Sequence, residues 1–339
     1  MRVTQQDIAR MASVSQATVS RVLSGDDKVE AVVRERVLRA VSENNYQPDV
    51  RARSLRSKRT GLVGLVINRP QGGLGDDPFF SGLVSDILDF FSGKPYHLCL
   101  DMVTSKAGQS TVYDEMLRTR RVDGLILVES EARDHRIARL QEDLFPFVLI
   151  GNPLTGNSIA SVDNDNVLAA EAATSHLLDQ GFQSVGMLAG PYGVTVSDDR
   201  VVGYQRAVRG RQHEHLIWHS EFGFESARAR AAEIFESEDR PDALVVLDDF
   251  MAMGVVDTAR KKRLRIPRDL GLVGFNDTHL CNLLEGGLTS VDLRMDEIVR
   301  RACDTLLHII EERPLNVPSR QIVDCELKVR GSSQREGRS

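Results

Sequence analysis

Hydrophobic residues near the amino terminus recur at helical spacing, with a short interruption at 13–15. They are Ile8, Ala9, Ala12, Val14, Ala17, Val19 and Val22. The pattern predicts two short helices joined by a tight turn, with Thr4 capping the first helix and Ser15 capping the second. If Val19 and Val22 face inward, the outer face of the second helix carries Gln16, Ala17, Ser20 and Arg21. Such a face is typical of a helix that reads base edges in the major groove, although a plain amphipathic hairpin with a solvated Arg21 is the alternative.

A third helix and a basic segment follow. The third helix is predicted near 30–44, with four side chains facing the first two helices: Val33, Val37, Leu38 and Val41. Residues 49–56 favour a short helix capped by Asp49, which is too short to be stable alone in water. Around Leu55, residues 51–59 carry five positive charges and no acid: Arg51, Arg53, Arg56, Lys58 and Arg59. A flexible linker describes the free protein equally well.

From Gly61 onward, short apolar strands alternate with amphipathic helices, which is typical of α/β folds built on parallel sheets. Eight strands are predicted in two sets of four. The first set lies near 62–67, 96–100, 125–128 and 147–150, and the second near 185–189, 216–221, 244–247 and 270–273. We therefore expect two lobes.

Several motifs of the chain resemble the lac-repressor (LacI/GalR) family of bacterial transcription regulators along its whole length: TQQDIARMASVSQATVSRVLSG, RERVLRAV, NNYQPDVRARSLRS and GLVGLVI. The resemblance implies a helix-turn-helix head at 1–47, a hinge helix and linker at 48–60, and an effector-binding and dimerisation domain at 61–339. That domain would resemble sugar-binding periplasmic proteins. Its first lobe would hold 61–161 and 292–320 and its second 162–291 and 321–331, with crossings near Ser161, Val291 and Gln321.

The same resemblance implies a homodimer on palindromic double-stranded operator DNA. Hinge helices from the two subunits would enter the minor groove, where Leu55 would wedge between central base pairs and bend the duplex. The chain departs from the family at Val33, where a Thr is usual and a phosphate contact would be lost, and at Ser13, where a Gly is usual. The implied DNA contacts are Thr4, Ser15, Gln16, Ala17, Thr18, Ser20, Arg21, Tyr46, Arg51, Ala52 and Leu55.

Charge is distributed unevenly along the 339 residues. Residues 1–60 hold 12 Lys and Arg against 7 Asp and Glu, whereas the remaining residues hold 31 against 42. A basic head on an acidic body fits a protein that touches the phosphate backbone with its head alone, because the same polyanion would repel the body.

Composition also bears on compartment and assembly. No signal peptide opens the sequence and no apolar run approaches the roughly 20 residues that a bilayer requires, so we expect a cytoplasmic protein without membrane contact. The cysteines are isolated in apolar surroundings, which favours buried free thiols: Cys99, Cys281, Cys303 and Cys325. The polar tail 331–339 has no heptads, so a dimer is favoured over a tetramer.

Enzyme motifs are missing from the sequence. There is no GxSxG elbow, no phosphate-binding loop, no dinucleotide-binding GxGxxG and no HExxH, so we expect no catalysis. The one dense His cluster contains His213, Glu214, His215 and His219. On a strand its three His residues would share one face, as in a metal site, but no Cys or second carboxylate cluster supports that interpretation. We expect a polar surface turn, without metal or cofactor.

The first candidate effector contacts come from segments that match the family. Phe79 and Phe80, in DPFFSGL, resemble residues at the cleft rim, and core packing is the equal alternative. Asp165 and Asn166, in SVDNDNVLAAEA, begin the first helix of the second lobe, where Asp165 could equally be only its cap. Arg200, in SDDRVVGYQRA, matches the Arg that family members direct at ligand, with a structural ion pair as the alternative. The segment 71–77, QGGLGDD, lies beside the expected cleft, either as a surface loop or as a cover over ligand.

Three further candidates lie in the second lobe. Phe222 falls where a member of the family places a Trp over its sugar, an apolar ring suited to the CH-rich face of a pyranose. Trp218, the single Trp, lies on the preceding strand and is expected to be half-buried. Asp248 and Asn276 follow two strand ends, where α/β proteins bind ligands. The family usually shows Asn first and Asp second, so their order here is exchanged.

These features predict a ligand-controlled transcription regulator, with repression favoured over activation and a carbohydrate favoured as effector. A purine or nucleoside effector is the alternative. It is disfavoured because purine-binding members carry an Arg and a Thr where this chain has Val194 and Val196. A solute-binding protein without regulatory function is the other alternative, but it would not explain the basic residues of 51–59.

Overall fold

The computed structural model describes residues 3–23, 26, 28–46, 59–68, 75, 77–154, 159–211 and 216–335. The chain forms two compact units, Met1–Thr60 and Gly61–Ser339. We call the first unit the head and the second the body, and each is described by itself.

In its described residues, the head forms three helices around a small apolar core: α1 (Gln5–Met11), α2 (Gln16–Leu23) and α3 (Ala31–Glu43). The Thr4 hydroxyl accepts a hydrogen bond from the Asp7 amide, and the Asp7 carboxylate accepts one from the Thr4 amide, so a capping box starts α1 as its cap residue predicts. Ser15 caps α2 by accepting from the Thr18 amide at 3.1 Å. The core includes Ile8, Val19, Val22 and Val37.

Two predicted orientations in the head are wrong. Ser20 is only 9% exposed, so it does not lie on the outer face of α2. It is one residue, about 100° of helical turn, from the fully buried Val19, and its short side chain does not reach beyond its longer neighbours. Leu38 is exposed, and Ala40 takes the buried position on α3 instead. The predicted hinge contacts Arg51, Ala52 and Leu55 lie outside the described residues.

In the body, strands and helices alternate as predicted. The strands are β1 (Leu62–Asn68), β2 (His97–Val103), β3 (Gly124–Val128), β4 (Phe147–Ile150), β5 (Ser161–Asn164), β6 (Val185–Ala189), β7 (Leu216–His219), β8 (Ala243–Val246), β9 (Gly271–Phe275), β10 (Thr289–Asp292), β11 (Arg320–Val323) and β12 (Glu326–Lys328). The helices are α4 (Pro78–Phe91), α5 (Lys106–Thr119), α6 (His135–Glu142), α7 (Asn166–Asp179), α8 (Thr195–Gly210), α9 (Phe224–Glu236), α10 (Asp249–Lys261) and α11 (Met295–Ile310). Across the described part of the chain, no helix combines the length and apolarity needed to span a membrane.

Two six-stranded sheets form the two lobes. Their orders are β11-β5-β4-β3-β1-β2 and β12-β10-β9-β8-β6-β7, and all pairings are parallel except that of β12 with β10. Helices cover both faces of each sheet. In the first lobe, α4 and α11 pack on one face and α5 and α6 on the other. In the second lobe, α7 and α8 pack on one face and α9 and α10 on the other. Because both faces are covered, β3, β6, β8 and β9 are buried along their whole length. The predicted α/β two-lobed class is confirmed, with one antiparallel edge strand.

The chain crosses between the lobes three times. The crossings follow β5, β10 and β11, so each lies a few residues after the point predicted from the sequence, and 321–323 belong to the first sheet rather than to the second lobe. Asn164, at the first crossing, ties the other two together. Its Nδ2 donates to the Leu293 carbonyl at 3.1 Å and to the Val323 carbonyl at 2.8 Å.

Candidate functional site

A cavity lies between the two lobes of the body, at the carboxyl ends of their strands. It holds about 720 Å³ of space, counted with the solvent at its mouth. Parallel strands with helices on both faces leave their ligand sites at this end. Six of the seven predicted effector contacts line it: Phe79, Phe80, Arg200, Phe222, Asp248 and Asn276.

Arg200 is the most enclosed charged group of the cavity, at 3% exposure. Its Nε donates to the Asn166 side-chain oxygen at 3.0 Å, its Nη1 donates to the Leu247 carbonyl, and its guanidinium lies 4.0 Å from the centre of the Phe275 ring. Burial lowers the pKa of Arg200 to about 10, against the opposing effect of Asp248, so the side chain stays charged at neutral pH. The sequence analysis gave a structural ion pair as the alternative role of Arg200, but Arg200 forms no direct ion pair with the described residues.

Helix packing fixes the position of this arginine. Gly203, one turn further along α8, lies so close to α7 that a Cβ there would be 2.1 Å from the Val167 carbonyl oxygen. The glycine therefore allows α8 to approach the first turn of α7, where Asn166 receives the Arg200 hydrogen bond. Backbone approach of this kind is a common use of glycine.

Asp163 is a cavity residue that the sequence analysis missed. Its side chain is 7% exposed and accepts a hydrogen bond from Asn166 at 3.1 Å. Burial raises the pKa of Asp163 to about 7, and the nearby charge of Asp199 adds to the shift. Asp163, Asn166 and Arg200 thus form one chain of contacts on the cavity wall.

Asp165, predicted to contact effector, does not line the cavity. Its carboxylate turns back to accept from the Leu168 amide at 2.9 Å, which makes it the cap of α7. The cap was the alternative interpretation from the sequence. The motif SVDNDN does supply the site, but through its residues 163, 164 and 166. The run of two Asp and two Asn residues at 163–166 was the signal available in the sequence, but it does not tell which of them faces the cavity.

Asp248 and Asn276 occupy the predicted strand ends of the second lobe. Asp248 caps α10 by accepting from the Met251 amide at 2.6 Å, and it also lines the cavity. Asn276 has a left-handed backbone with φ 96°, and Glu129, on the opposite lobe, has φ 57°. Non-glycine residues in this region cost free energy and are concentrated at functional sites.

Aromatic rings form part of both walls. Phe80 is buried in the first-lobe core and meets the half-buried Phe79 edge to face, with ring centres 5.0 Å apart. Both alternatives for this pair therefore hold, since each ring also lines the cavity. Phe222 packs beside the second-lobe core and lines the opposite wall. Trp218 is half-buried, as predicted.

The two lobes also contact each other directly across the cleft. Glu131 and Val194 form an antiparallel bridge, and the Thr195 amide donates to the Ser130 carbonyl at 2.9 Å. The Ser130 and Thr195 hydroxyls lie 2.8 Å apart. Beside them, the Asn152 amide donates to Asp199 at 2.9 Å.

The described residues contain no cluster of three or more His, Cys, Asp or Glu side chains that could hold a metal ion. His213 and His215 lie outside the described residues. His219 stacks on Tyr192, and its Nδ1–H donates to the Gly190 carbonyl at 2.8 Å. Cys281 and Cys303 are buried as predicted, whereas Cys99 and Cys325 are half-buried.

The head presents one face of α2 outward. Gln16, Ala17 and Arg21 are exposed, and Thr18 and Tyr46 are half-buried. The Gln16 amide donates to the Gln5 side chain at 3.4 Å, a partner on α1 that the sequence analysis did not single out.

Comparisons with known proteins agree with this architecture. Residues 4–49 match the model for bacterial regulatory proteins of the lacI family, and residues 174–333 match a periplasmic binding protein-like domain. The ribose operon repressor of Halalkalibacterium halodurans is 31% identical over 325 residues, covering 94% of this chain and 96% of the relative. The repressor CytR of Escherichia coli is 28% identical over 334 residues, covering 98% and 96%.

Solved structures extend the comparison. A complex of the regulator CelR with cellobiose superposes with a TM-score of 0.75 at 27% identity, covering 98% of this chain and 100% of the other. The lac repressor dimer bound to operator and the anti-inducer ONPF shares the fold, with a TM-score of 0.83 at 23% identity over 99% and 100%. With its head, its two-lobed body and its full-length relatives, the chain belongs to the lacI family of bacterial regulatory proteins.

Proposed function

We propose that the chain is a transcriptional repressor that binds a palindromic operator as a homodimer and is controlled by a carbohydrate bound between its lobes. The observation that carries the proposal is the presence of two kinds of site in one chain. The body holds the buried Arg200 in a hydrogen-bonded network inside the cleft, and the head has a second helix with an exposed face. Two relatives are named as repressors, and the lac repressor structure is a dimer on operator. The proposal places the protein in the bacterial cytoplasm and assigns it no catalysis.

In the head, Gln16, Ala17 and Arg21 are the proposed base-reading residues. They lie outward while Val19 and Val22 anchor α2 to the core, which is the arrangement of a recognition helix. Ser20 leaves this set because it is buried. The other proposed contacts are Thr4, Ser15, Thr18 and Tyr46, with Arg51, Ala52 and Leu55 of the hinge proposed from the sequence alone.

In the cleft, polar groups and rings together suit a sugar. Arg200, Asp248 and Asn276 offer donors and acceptors for paired hydroxyls, and Asp163 with Asn166 adds to them. Phe79 and Phe222 offer apolar surface for the CH-rich face of a ring. The CelR structure holds cellobiose in a protein of the same architecture, which supports this class of effector.

Operator binding can be tested with a duplex selected from a random pool by the purified protein. We expect Gln16→Ala and Arg21→Ala each to weaken binding to that duplex by about 1 to 3 kcal/mol, measured by fluorescence anisotropy, with little change on unrelated DNA. Arg39→Ala, which removes an exposed arginine from α3, is the matched control and should change binding to both DNAs slightly and equally. Equal losses for Arg21→Ala on the two DNAs would contradict base reading by α2.

A further inference from the structure

A second cavity adjoins the first along the cleft. The two share a wall made by Phe80, Val128, Glu129 and Phe222. We call the cavity at Arg200 the inner compartment and its neighbour the outer compartment. Residues of both lobes line the outer compartment, Gln109 and Arg136 from the first and Tyr192 and Ser226 from the second. The cleft therefore extends beyond the inner compartment at Arg200 as far as Tyr192.

Tyr192 gives the outer compartment an aromatic surface. Its side chain is 78% exposed, yet one face of its ring is held by His219, with ring centres 3.5 Å apart and planes 24° from parallel. His219 is in turn fixed by its hydrogen bond to the Gly190 carbonyl. A ring supported on one face and open on the other suits packing against the CH-rich face of a sugar.

The charges around both compartments indicate an uncharged ligand. Among the described residues, six carboxylates line the two cavities: Asp77, Glu129, Glu131, Asp163, Glu221 and Asp248. Two guanidinium groups oppose them, and Arg136 is already paired with Asp134 at 2.6 Å. Even with Asp163 only partly ionised at neutral pH, carboxylates outnumber guanidinium groups among the described lining residues. A phosphate or carboxylate on the ligand would meet these like charges, which disfavours binding.

We propose that the effector is an uncharged oligosaccharide of at least two rings, with one ring in the inner compartment at Arg200 and Asp248 and the next ring against Tyr192 in the outer compartment. This proposal rests on the proposed function and specifies the size and charge of its effector. Neutral groups suited to hydroxyls are present beside the second ring, at Ser105, Gln109 and Ser226.

Titration calorimetry on the full chain tests the proposal. The probes are cellobiose, maltose and lactose, the monosaccharides glucose, galactose and ribose, and glucose 6-phosphate. We expect one disaccharide to bind at least tenfold more tightly than any of the monosaccharides, and glucose 6-phosphate to bind more weakly than glucose. Tyr192→Ala should weaken disaccharide binding about tenfold and monosaccharide binding less than twofold, because only the second ring reaches it. Tyr192→Phe keeps the ring and should bind like the unchanged protein.

Other results would overturn the proposal. A monosaccharide that binds as tightly as every disaccharide, with no effect of Tyr192→Ala, would restrict the effector to the inner compartment and leave the repressor function intact. Tighter binding of glucose 6-phosphate than of glucose would contradict the charge argument. Absence of binding by all seven probes would overturn the carbohydrate assignment together with this proposal, while the operator experiment would still decide DNA binding separately.

Discussion

The two lobes of the body have the same strand order but offer very different walls to the cleft. The second lobe presents Asn166, Arg200, Asp248 and Asn276, whereas the first presents the apolar Phe79, Phe80, Val128 and Ile150 together with the carboxylates Asp77, Glu129 and Asp163. The guanidinium group of the inner compartment thus comes from the second lobe, whereas three of the four carboxylates among its described lining residues come from the first. The fold determines where a ligand can sit, while the residues just after each strand determine which charges each lobe presents to it.

Polar groups of the second-lobe wall are held in place before any ligand arrives. Arg200 is bound to Asn166 and Leu247 and packed on Phe275, and Asp248 is fixed as a helix cap. Groups that are already ordered lose little conformational freedom on binding. We therefore expect the second lobe to supply most of the affinity for effector.

Arg200→Ala should have the largest effect. It removes charge-assisted hydrogen bonds to ligand and leaves nearby carboxylates without their cation, so we expect effector affinity to fall a hundredfold or more, about 3 kcal/mol. Calorimetry with the best-binding sugar measures the loss. The matched control is Arg206→Ala on the outer face of the same helix, which should bind normally. Retained affinity in Arg200→Ala, with the fold intact, would place the ligand elsewhere.

Asp163→Asn should alter stability and its pH dependence. Burial keeps the pKa of Asp163 near 7, above its usual value of 3.8, so the native state binds the proton more tightly than the unfolded state. The unchanged protein therefore loses stability as pH rises toward and through 7, whereas the amide variant does not titrate. We expect the variant to be more stable at pH 8 by roughly 2 to 4 kcal/mol, with a smaller difference at pH 5. Thermal unfolding across this range is the measurement, and a gap independent of pH would refute the assignment.

The exchange of Asp and Asn between two strand ends gives the smallest expected effect. Asp248→Asn keeps a good helix cap but removes a charged acceptor, so effector affinity should fall about tenfold, or about 1.4 kcal/mol. Asn276→Asp should cost less, and its left-handed backbone also suits Asp. The double variant restores the usual order of the family. Unchanged affinity in all three variants, measured by calorimetry, would show that neither residue faces the ligand.

Eight of the twelve strands in the described residues were predictable because buried strands have a strong apolar pattern, whereas β5, β10, β11 and β12 were not predicted as strands. Asp248 and Asn276 follow from the rule that ligands gather where parallel strands end, whereas Phe222 was predicted from the resemblance to the family. Asp163 was not predictable in the same way, because a carboxylate near a helix start is as well suited to a cap as to a ligand. Only packing decided that Asp165 took the cap and Asp163 the cavity. The predicted outward orientation of Ser20 was wrong for a related reason. Helical periodicity does not tell whether a small side chain at the edge of the buried face is exposed.

Asn164 has a mechanical consequence. All three peptide connections between the lobes pass within hydrogen-bonding reach of this one side chain, so the segments are fastened to each other at a single point. A rotation of one lobe against the other about this point would move atoms beside Asn164 little, and atoms at the far rim of the cleft in proportion to their distance from it. A slight change of angle at Asn164 would then produce a much larger displacement at the opening of the cleft.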